Sequence, residues 1–452
     1  MRTPPTAATP TAATPAEPAL ATLTPPTAAA AAAPPAGAAA SAARASGALA
    51  RCVALPRDQF LAAAFDRVPV LSRAVELPAP FTDLLADDDV DALLTRHGLR
   101  TPFFRMVQDG APVRGTTRSA VAGSVTITDL ADADRVREFH ADGATLVLNS
   151  LHRLWPPLVD FCRALAGELG HPTQCNAYVT PGGGAQGFAY HHDTHDVFVL
   201  QVSGTKRWQV HPPVVELPLR SQPRAGEGLV ADGATPLLDI ELQPGDALYL
   251  PRGYVHAAAT TDSPSVHLTV GLLVTTWQDV LTDLVGAAGG DIALRRAVPT
   301  PPTAATGDRP GAVPDFLAAV RAWADGLDEA TVAAALARRA DRALPPEPLG
   351  MLAQARAAAA VGPDTPVRPR AGLRTAVTDD PDAARVRLDL PDRTLELPPV
   401  AAAGLRVLVA GPARVRDAAV GGLEPPDAVV LARRLLREGV LVAGGTPAAS
   451  AP

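Results

Sequence analysis

The chain is poor in cysteine and in charge, and it has no long membrane-like run. Three cysteines, Cys52, Cys162 and Cys175, are spread over 452 residues with no repeated spacing, which excludes a disulfide framework or a cysteine-built zinc site. The longest apolar runs are alanine-rich or short, so none reads as a membrane span. Positive charge is not in excess either. Lys+Arg number 40 against 47 Asp+Glu, for a net charge of −7, which argues against a protein held on nucleic acid by neutralising phosphates. A cytoplasmic protein with no membrane and no direct nucleic-acid partner is the expectation.

What the chain has in quantity is proline (47), glycine (36) and hydrophobic residues (47%). At about 100–200 residues per domain the length admits two to four domains, with enough apolar surface for a sizeable core. Residues 1–46 are almost entirely Ala, Pro, Thr and Gly, without the large side chains that offset ordering entropy, and read as a disordered tail. Residues 47–277 read as one domain, with helical stretches at 82–96, where Thr82 could cap, and near 151–168. Strand signals are densest over 176–275. Residues 278–372 turn helical, with a Pro/Thr/Gly-rich break at 298–312. Residues 373–452 read as two short strands (383–390 and 393–397), helices at 400–410 and 426–438 and a last strand at 440–442, a winged-helix-like order.

The chemistry is concentrated in Gly187-Phe188-Ala189-Tyr190-His191-His192-Asp193-Thr194-His195-Asp196, followed by the β-favourable Val197-Phe198-Val199-Leu200-Gln201-Val202. On and just before a strand, residues two apart share a face, so His191 and Asp193 can reach one metal ion. A second histidine is marked by Gly245-Asp246-Ala247-Leu248-Tyr249-Leu250-Pro251-Arg252-Gly253-Tyr254-Val255-His256. There Pro251 and Gly253 make a tight corner that swings His256 toward a barrel interior. Two histidines and one carboxylate form the facial triad whose open positions suit non-haem Fe(II).

The G-x5-P-x-G-x2-H spacing resembles the second motif of the cupin superfamily. Cupins that bind metal through three histidines and a glutamate carry that glutamate where this chain has Val197 and Phe198. The pattern is therefore similar to the JmjC, cupin-4 branch, the ribosomal-oxygenase type of Fe(II)/2-oxoglutarate-dependent hydroxylase. The resemblance implies a mainly β fold with α, a double-stranded β-helix (cupin/JmjC jelly roll), followed by a helical dimerisation region and a winged-helix-like C-terminal module. It implies His191, Asp193 and His256 as iron ligands, with 2-oxoglutarate and O2 as cosubstrates. By the same resemblance Lys206, fifteen residues after His191 and beyond the turn Ser203-Gly204-Thr205, anchors the distal carboxylate of 2-oxoglutarate. Asn176 and Tyr178 are cosubstrate contacts. Gly271 stands where several members have Ser or Thr, so that hydrogen bond is lost or moves to Thr269. The implied substrate is a protein or peptide side chain, on a ribosomal protein, and the implied assembly is a homodimer.

Other readings stay open on the residues alone. The same chemistry could act on another peptide or a small metabolite, and a non-oxygenase metal-binding cupin or a regulatory winged-helix protein are further options. His192 and His195 read as polar residues near the site mouth, or His195 as a ligand or substrate contact. Gly182-Gly183-Gly184 lacks the Lys-Ser/Thr of a phosphate loop and reads as a mobile lip. Trp208, Trp277 and Tyr249 read as core. From Leu373 to Pro452 ten Arg balance ten Asp+Glu, so the winged-helix-like module lacks the positive excess that DNA binding needs.

Overall fold

The computed structural model describes residues 47–222, 230–231, 233–297, 312–380 and 384–444. The expected tail at 1–46 and most of the break at 298–312 lie outside the described residues.

The strands of the first part, in chain order, are β1 (Val70–Ser72), β2 (Phe104–Gln108), β3 (Ala111–Val113), β4 (Thr117–Ala122), β5 (Val125–Ala131), β6 (Thr145–Leu148), β7 (Thr173–Thr180), β8 (Asp196–Ser203), β9 (Lys206–Pro213), β10 (Leu238–Leu242), β11 (Ala247–Leu250), β12 (Tyr254–Thr260) and β13 (Ser265–Leu272). Eight of them form one sheet in the order β1-β11-β8-β13-β7-β6-β2-β3, and β10-β9-β12 form a smaller sheet. All the pairings in these two sheets are antiparallel.

The central strand β8 explains its own apolar run. Val197 and Val199 meet Trp208, Val210 and Leu242 of the small sheet, in a core between the two sheets. The alternate residues Phe198, Leu200 and Val202 point the other way, into the larger core shared with Phe60, Phe161 and Leu165. A strand covered on both faces has no polar alternation to show. The second layer comes from the N-terminal helices and from Pro156–Leu169, whose Leu158, Phe161, Cys162, Leu165 and Leu169 are buried.

Several expectations need correction. The 82–96 helix begins at Asp87, capped by the Asp89 carboxylate on the Ala86 N–H rather than by Thr82. A second helix, Ala133–Ala141, precedes the 151–168 stretch. It buries only Val136, so its sequence shows little apolar period, and Asp132 caps it. The triple glycine is tied down, since the Gly183 N–H donates to the Thr261 carbonyl at 2.8 Å.

Helices follow at Trp277–Ala287, Ala312–Asp325, Glu329–Ala343 and Met351–Ala360. The first packs on the third through Val280, Leu284 and Ala335, and Arg339 ties them by its ion pair with Asp283 at 3.0 Å. The last part has its own core, including Val386, Leu388, Leu405, Leu431, Leu435 and Leu441. Its strands are β14 (Pro366–Pro369), β15 (Ala376–Asp380), β16 (Arg385–Asp389), β17 (Thr394–Leu397), β18 (Ala413–Arg414) and β19 (Leu441–Ala443), around helices Ala402–Ala410 and Pro425–Arg437. β15, absent from the sequence expectation, extends the β16-β17 hairpin to three strands. Among the described residues, no helix is long and apolar enough to cross a membrane.

Candidate metal centre and its cavity

His191 and Asp193 lie in the loop just before β8, not on the strand itself. The loop is nonetheless held like a strand. The His191 N–H donates to the His256 carbonyl at 3.1 Å, and the His256 N–H returns to the His191 carbonyl at 2.8 Å. This closely spaced pair brings the two imidazoles to 4.4 Å between centroids. The Gly253 N–H donates to the Asp193 carbonyl at 3.0 Å. Gly253 has φ +91°, and a Cβ there would overlap the Val215 carbonyl oxygen, so the corner before His256 requires glycine.

One donor atom from each of His191, Asp193 and His256 lies within 4.8 Å of the others. The protonation of both rings is settled by their backbone contacts. Nδ1 of His191 lies 2.9 Å from the Ala189 carbonyl and Nδ1 of His256 lies 3.0 Å from the Tyr254 carbonyl. A carbonyl only accepts, so each Nδ1 is the donor in its contact, which leaves Nε2 as the ring atom turned toward the site. Nε2 of His256 is 3.8 Å from Oδ2 of Asp193. Burial, and then the neighbouring His191, push the His256 pKa down to about 4, which keeps the ring neutral at ordinary pH. Two imidazole nitrogens and a carboxylate oxygen this close together could hold a divalent first-row metal.

Lys206 opens β9 and lies across from Thr260 on β12 and Leu242 on β10. It is 4% exposed. Its Nζ donates to the Thr180 hydroxyl at 2.9 Å, and among the described residues no carboxylate pairs with it. Burial brings its pKa down to about 7. A cation buried without an anion is costly, so an anionic group beside Lys206 would be favoured. One sequence signal was missed here: Lys206 is the only lysine in the chain, and the other 39 cations are arginine.

The remaining candidate residues lie on the paired strands β7 and β13. Tyr178 faces His267, with rings stacked at 4.9 Å. Asn176 pairs with Thr269 in register, and its side-chain oxygen accepts from the Ser150 N–H at 2.9 Å. His192 and His195 are both buried, away from an open mouth. His195 does not join the three donors. Its Nε2 lies 3.3 Å from Gln174, and its ring covers Gly271, where a Cβ would come within 2.6 Å of it. A side chain at 271 and this imidazole therefore exclude each other.

Residues 157–280 match the JmjC domain family. Over 124 residues the chain is 42% identical to the bifunctional lysine-specific demethylase and histidyl-hydroxylase NO66 of Drosophila persimilis, covering 27% of this chain and 16% of that protein. Over 249 residues it is 29% identical to ribosomal oxygenase 1 of Gallus gallus, covering 54% of this chain and 40% of that one. The chain thus spans well under half the length of these relatives. It shares its fold with YcfD, a ribosomal oxygenase from Escherichia coli whose structure is in complex with cobalt and 2-oxoglutarate. That likeness has a TM-score of 0.50 at 16% identity, over 87% of this chain and 99% of the other. The JmjC match contains His191, Asp193, Lys206 and His256.

Proposed function

We propose that this protein is an Fe(II)- and 2-oxoglutarate-dependent oxygenase that hydroxylates a protein side chain, on a ribosomal protein. The observation that carries the reading is the His191–Asp193–His256 donor set together with a buried Lys206 on β9, the strand paired with the β12 strand of His256. The names of the relatives, ribosomal oxygenase and histidyl-hydroxylase, support the substrate class.

Iron(II) held there would supply oxygen activation, with 2-oxoglutarate and O2 as co-reactants, for hydroxylation of a C–H bond. The chain's own residues do the rest. His191 and His256 present lone pairs oriented by the Ala189 and Tyr254 carbonyls, and Asp193 supplies the negative charge. Lys206 holds the distal carboxylate of 2-oxoglutarate, and Asn176, Tyr178 and Thr269 line its path. Val199, Val210 and Trp208, buried between the sheets, keep water from the reacting centre.

In the same reading residues 47–277 are the oxygenase domain, 278–372 the helical dimerisation region and 373–452 a winged-helix-like module that frames the substrate groove. A face of helix Trp277–Ala287 supports the homodimer: Trp277, Leu281 and Val285, four residues apart, are 75%, 53% and 55% exposed. The three buried, unpaired cysteines suit the reducing cytoplasm.

The test is anaerobic. Iron(II) followed by 2-oxoglutarate should give a visible absorption band that needs both, is lost in Asp193→Ala and weakens in Lys206→Ala. Ribosomal protein should then stimulate succinate formation and gain one oxygen atom by mass. A folded, iron-loaded wild type with no band would overturn the assignment.

A further inference from the structure

One row of the large sheet ends in an arginine. Arg105 on β2 lies opposite Val147 on β6, Val147 opposite Tyr178 on β7, and Tyr178 opposite His267 on β13. Directly opposed residues of an antiparallel pair project from the same face, so these four share one. The residues that flank them along the strands, Phe104, Met106, Leu146, Leu148 and Ala177, belong to the large core on the other face. Arg105 therefore stands on the face of Tyr178 and His267, away from that core, and it is exposed.

Phe188 links this arginine to the candidate metal centre. The Arg105 guanidinium lies over the Phe188 ring at 5.5 Å from its centre. The same ring meets Tyr178 edge to face at 5.9 Å and the His191 ring at 5.9 Å. One half-buried phenyl ring thus stands between the guanidinium and a donor imidazole. The ring is held in place by its backbone. The Gly110 N–H, in the turn between β2 and β3, donates to the Gly187 carbonyl at 3.2 Å, and the Gln186 amide donates to the Phe188 carbonyl at 2.8 Å. The hairpin that carries Arg105 therefore also fixes the segment that carries Phe188. A guanidinium over a ring is held by its charge and keeps its five N–H donors for other partners. Among the described residues none of these donors makes a hydrogen bond or an ion pair.

We propose that Arg105 is a substrate-specificity residue, which takes the side-chain carboxylate of an aspartate or glutamate close in sequence to the hydroxylated residue. The inference rests on the oxygenase reading and deepens it, because it names the substrate class as a peptide segment with an acidic residue beside its target. A carboxylate is the group that matches the guanidinium fork in shape as well as charge, accepting two parallel N–H bonds. Phe188 restricts where the arginine can go, so the fork is partly ordered before the substrate arrives and less entropy is lost on binding. Its ring, between Arg105 and His191, spaces the acidic residue from the one that reacts.

The probe is a randomised pool of short peptides with blocked ends, so that the only carboxylates are side chains. The full chain, loaded with zinc and 2-oxoglutarate, captures peptides without turning them over, and mass spectrometry sequences what is held. Wild type should enrich Asp or Glu at one position. Arg105→Gln should lose that enrichment, and Arg105→Glu should replace it with Lys or Arg. A peptide chosen from the wild-type set should bind about tenfold more tightly than its copy with the acid changed to the amide, the scale of one hydrogen-bonded charge pair. Added salt should shrink that preference, because the arginine is exposed, and Arg105→Gln should abolish it at an unchanged melting temperature. A wild type that captures nothing, or the same peptides as Arg105→Gln, overturns this inference. The absorption band with iron(II) and 2-oxoglutarate then leaves the oxygenase reading standing. A wild type that gives no such band overturns both.

Discussion

At the scale of single residues, Lys206 carries the clearest physical consequence. An ammonium with its pKa near 7 is only half charged at neutrality until an anion arrives. Binding of 2-oxoglutarate must then draw in a proton, and affinity should fall as pH rises through 7, to about a tenth of its acid-side value by pH 8. Because the chain has one lysine, isotope-labelled lysine gives a single side-chain signal. Its titration midpoint should lie near 7 in the free protein and move upward with 2-oxoglutarate. Stability follows with a definite sign. Between the folded pKa near 7 and the ordinary value of 10.5, the unfolded chain holds a proton that the folded one has lost. This residue's contribution to the stability of the ligand-free protein therefore rises with pH across that window. Melting curves should show the slope reduced in Lys206→Met; a midpoint at the ordinary lysine value would refute the account. Spacing and family resemblance singled out Lys206, His191, Asp193 and His256, and the structure brings donor atoms of the last three within 4.8 Å of one another. What the sequence could not show was that Asn176 spends its oxygen on Ser150, or that His195 fills the space over Gly271. Both depend on which strands become neighbours.

At the scale of elements, two of the three candidate donors, His191 and Asp193, are held by a loop, so something must stiffen it. Asp196, fully buried at the start of β8, accepts from the Arg252 N–H at 3.1 Å and from the Tyr249 hydroxyl. The Arg252 guanidinium pairs with Asp196 at 3.3 Å and with Asp66. The clamp thus joins a residue three beyond Asp193 to one four before His256. Burial, its largest influence, raises the Asp196 pKa to about 6, so its ionised form depends on these donors. Arg252→Met leaves a buried carboxylate without its cation, and should cost about 3 kcal/mol of stability, the scale for breaking a buried pair. It should also weaken cobalt(II) binding in protein that remains folded at low temperature. Unchanged metal affinity would show that the clamp serves folding alone. The strands here were legible because β8 and β11 are covered on both faces and read as plain apolar runs. The short helix Ala133–Ala141 was not, since one buried valine gives no period, and the HxD loop borrows strand geometry from two backbone bonds to a distant histidine.

At the scale of the whole molecule, the helical region carries an exposed apolar stripe. Trp277, Leu281 and Val285 form a stripe along one helix face, and Ile292 beyond it is 68% exposed. Exposed apolar surface of this kind is typical of interaction sites, and in the proposed homodimer a second copy of the chain would cover it by two-fold symmetry. The stripe borders Val280 and Leu284, which pack inward on Glu329–Ala343, but Leu281 itself is 53% exposed, so a charge there can stay in solvent. Leu281→Asp should convert a dimer to a monomer in sedimentation equilibrium. Its effect on the intrinsic melting transition, apart from the loss of concentration dependence, should stay within about 0.5 kcal/mol, as for other exposed positions. If the wild type sediments as a monomer at tens of micromolar, or if Leu281→Asp remains a dimer, the helical region does not assemble the molecule through this face. The C-terminal part, residues 373–452, would then have to be tested as the contact instead.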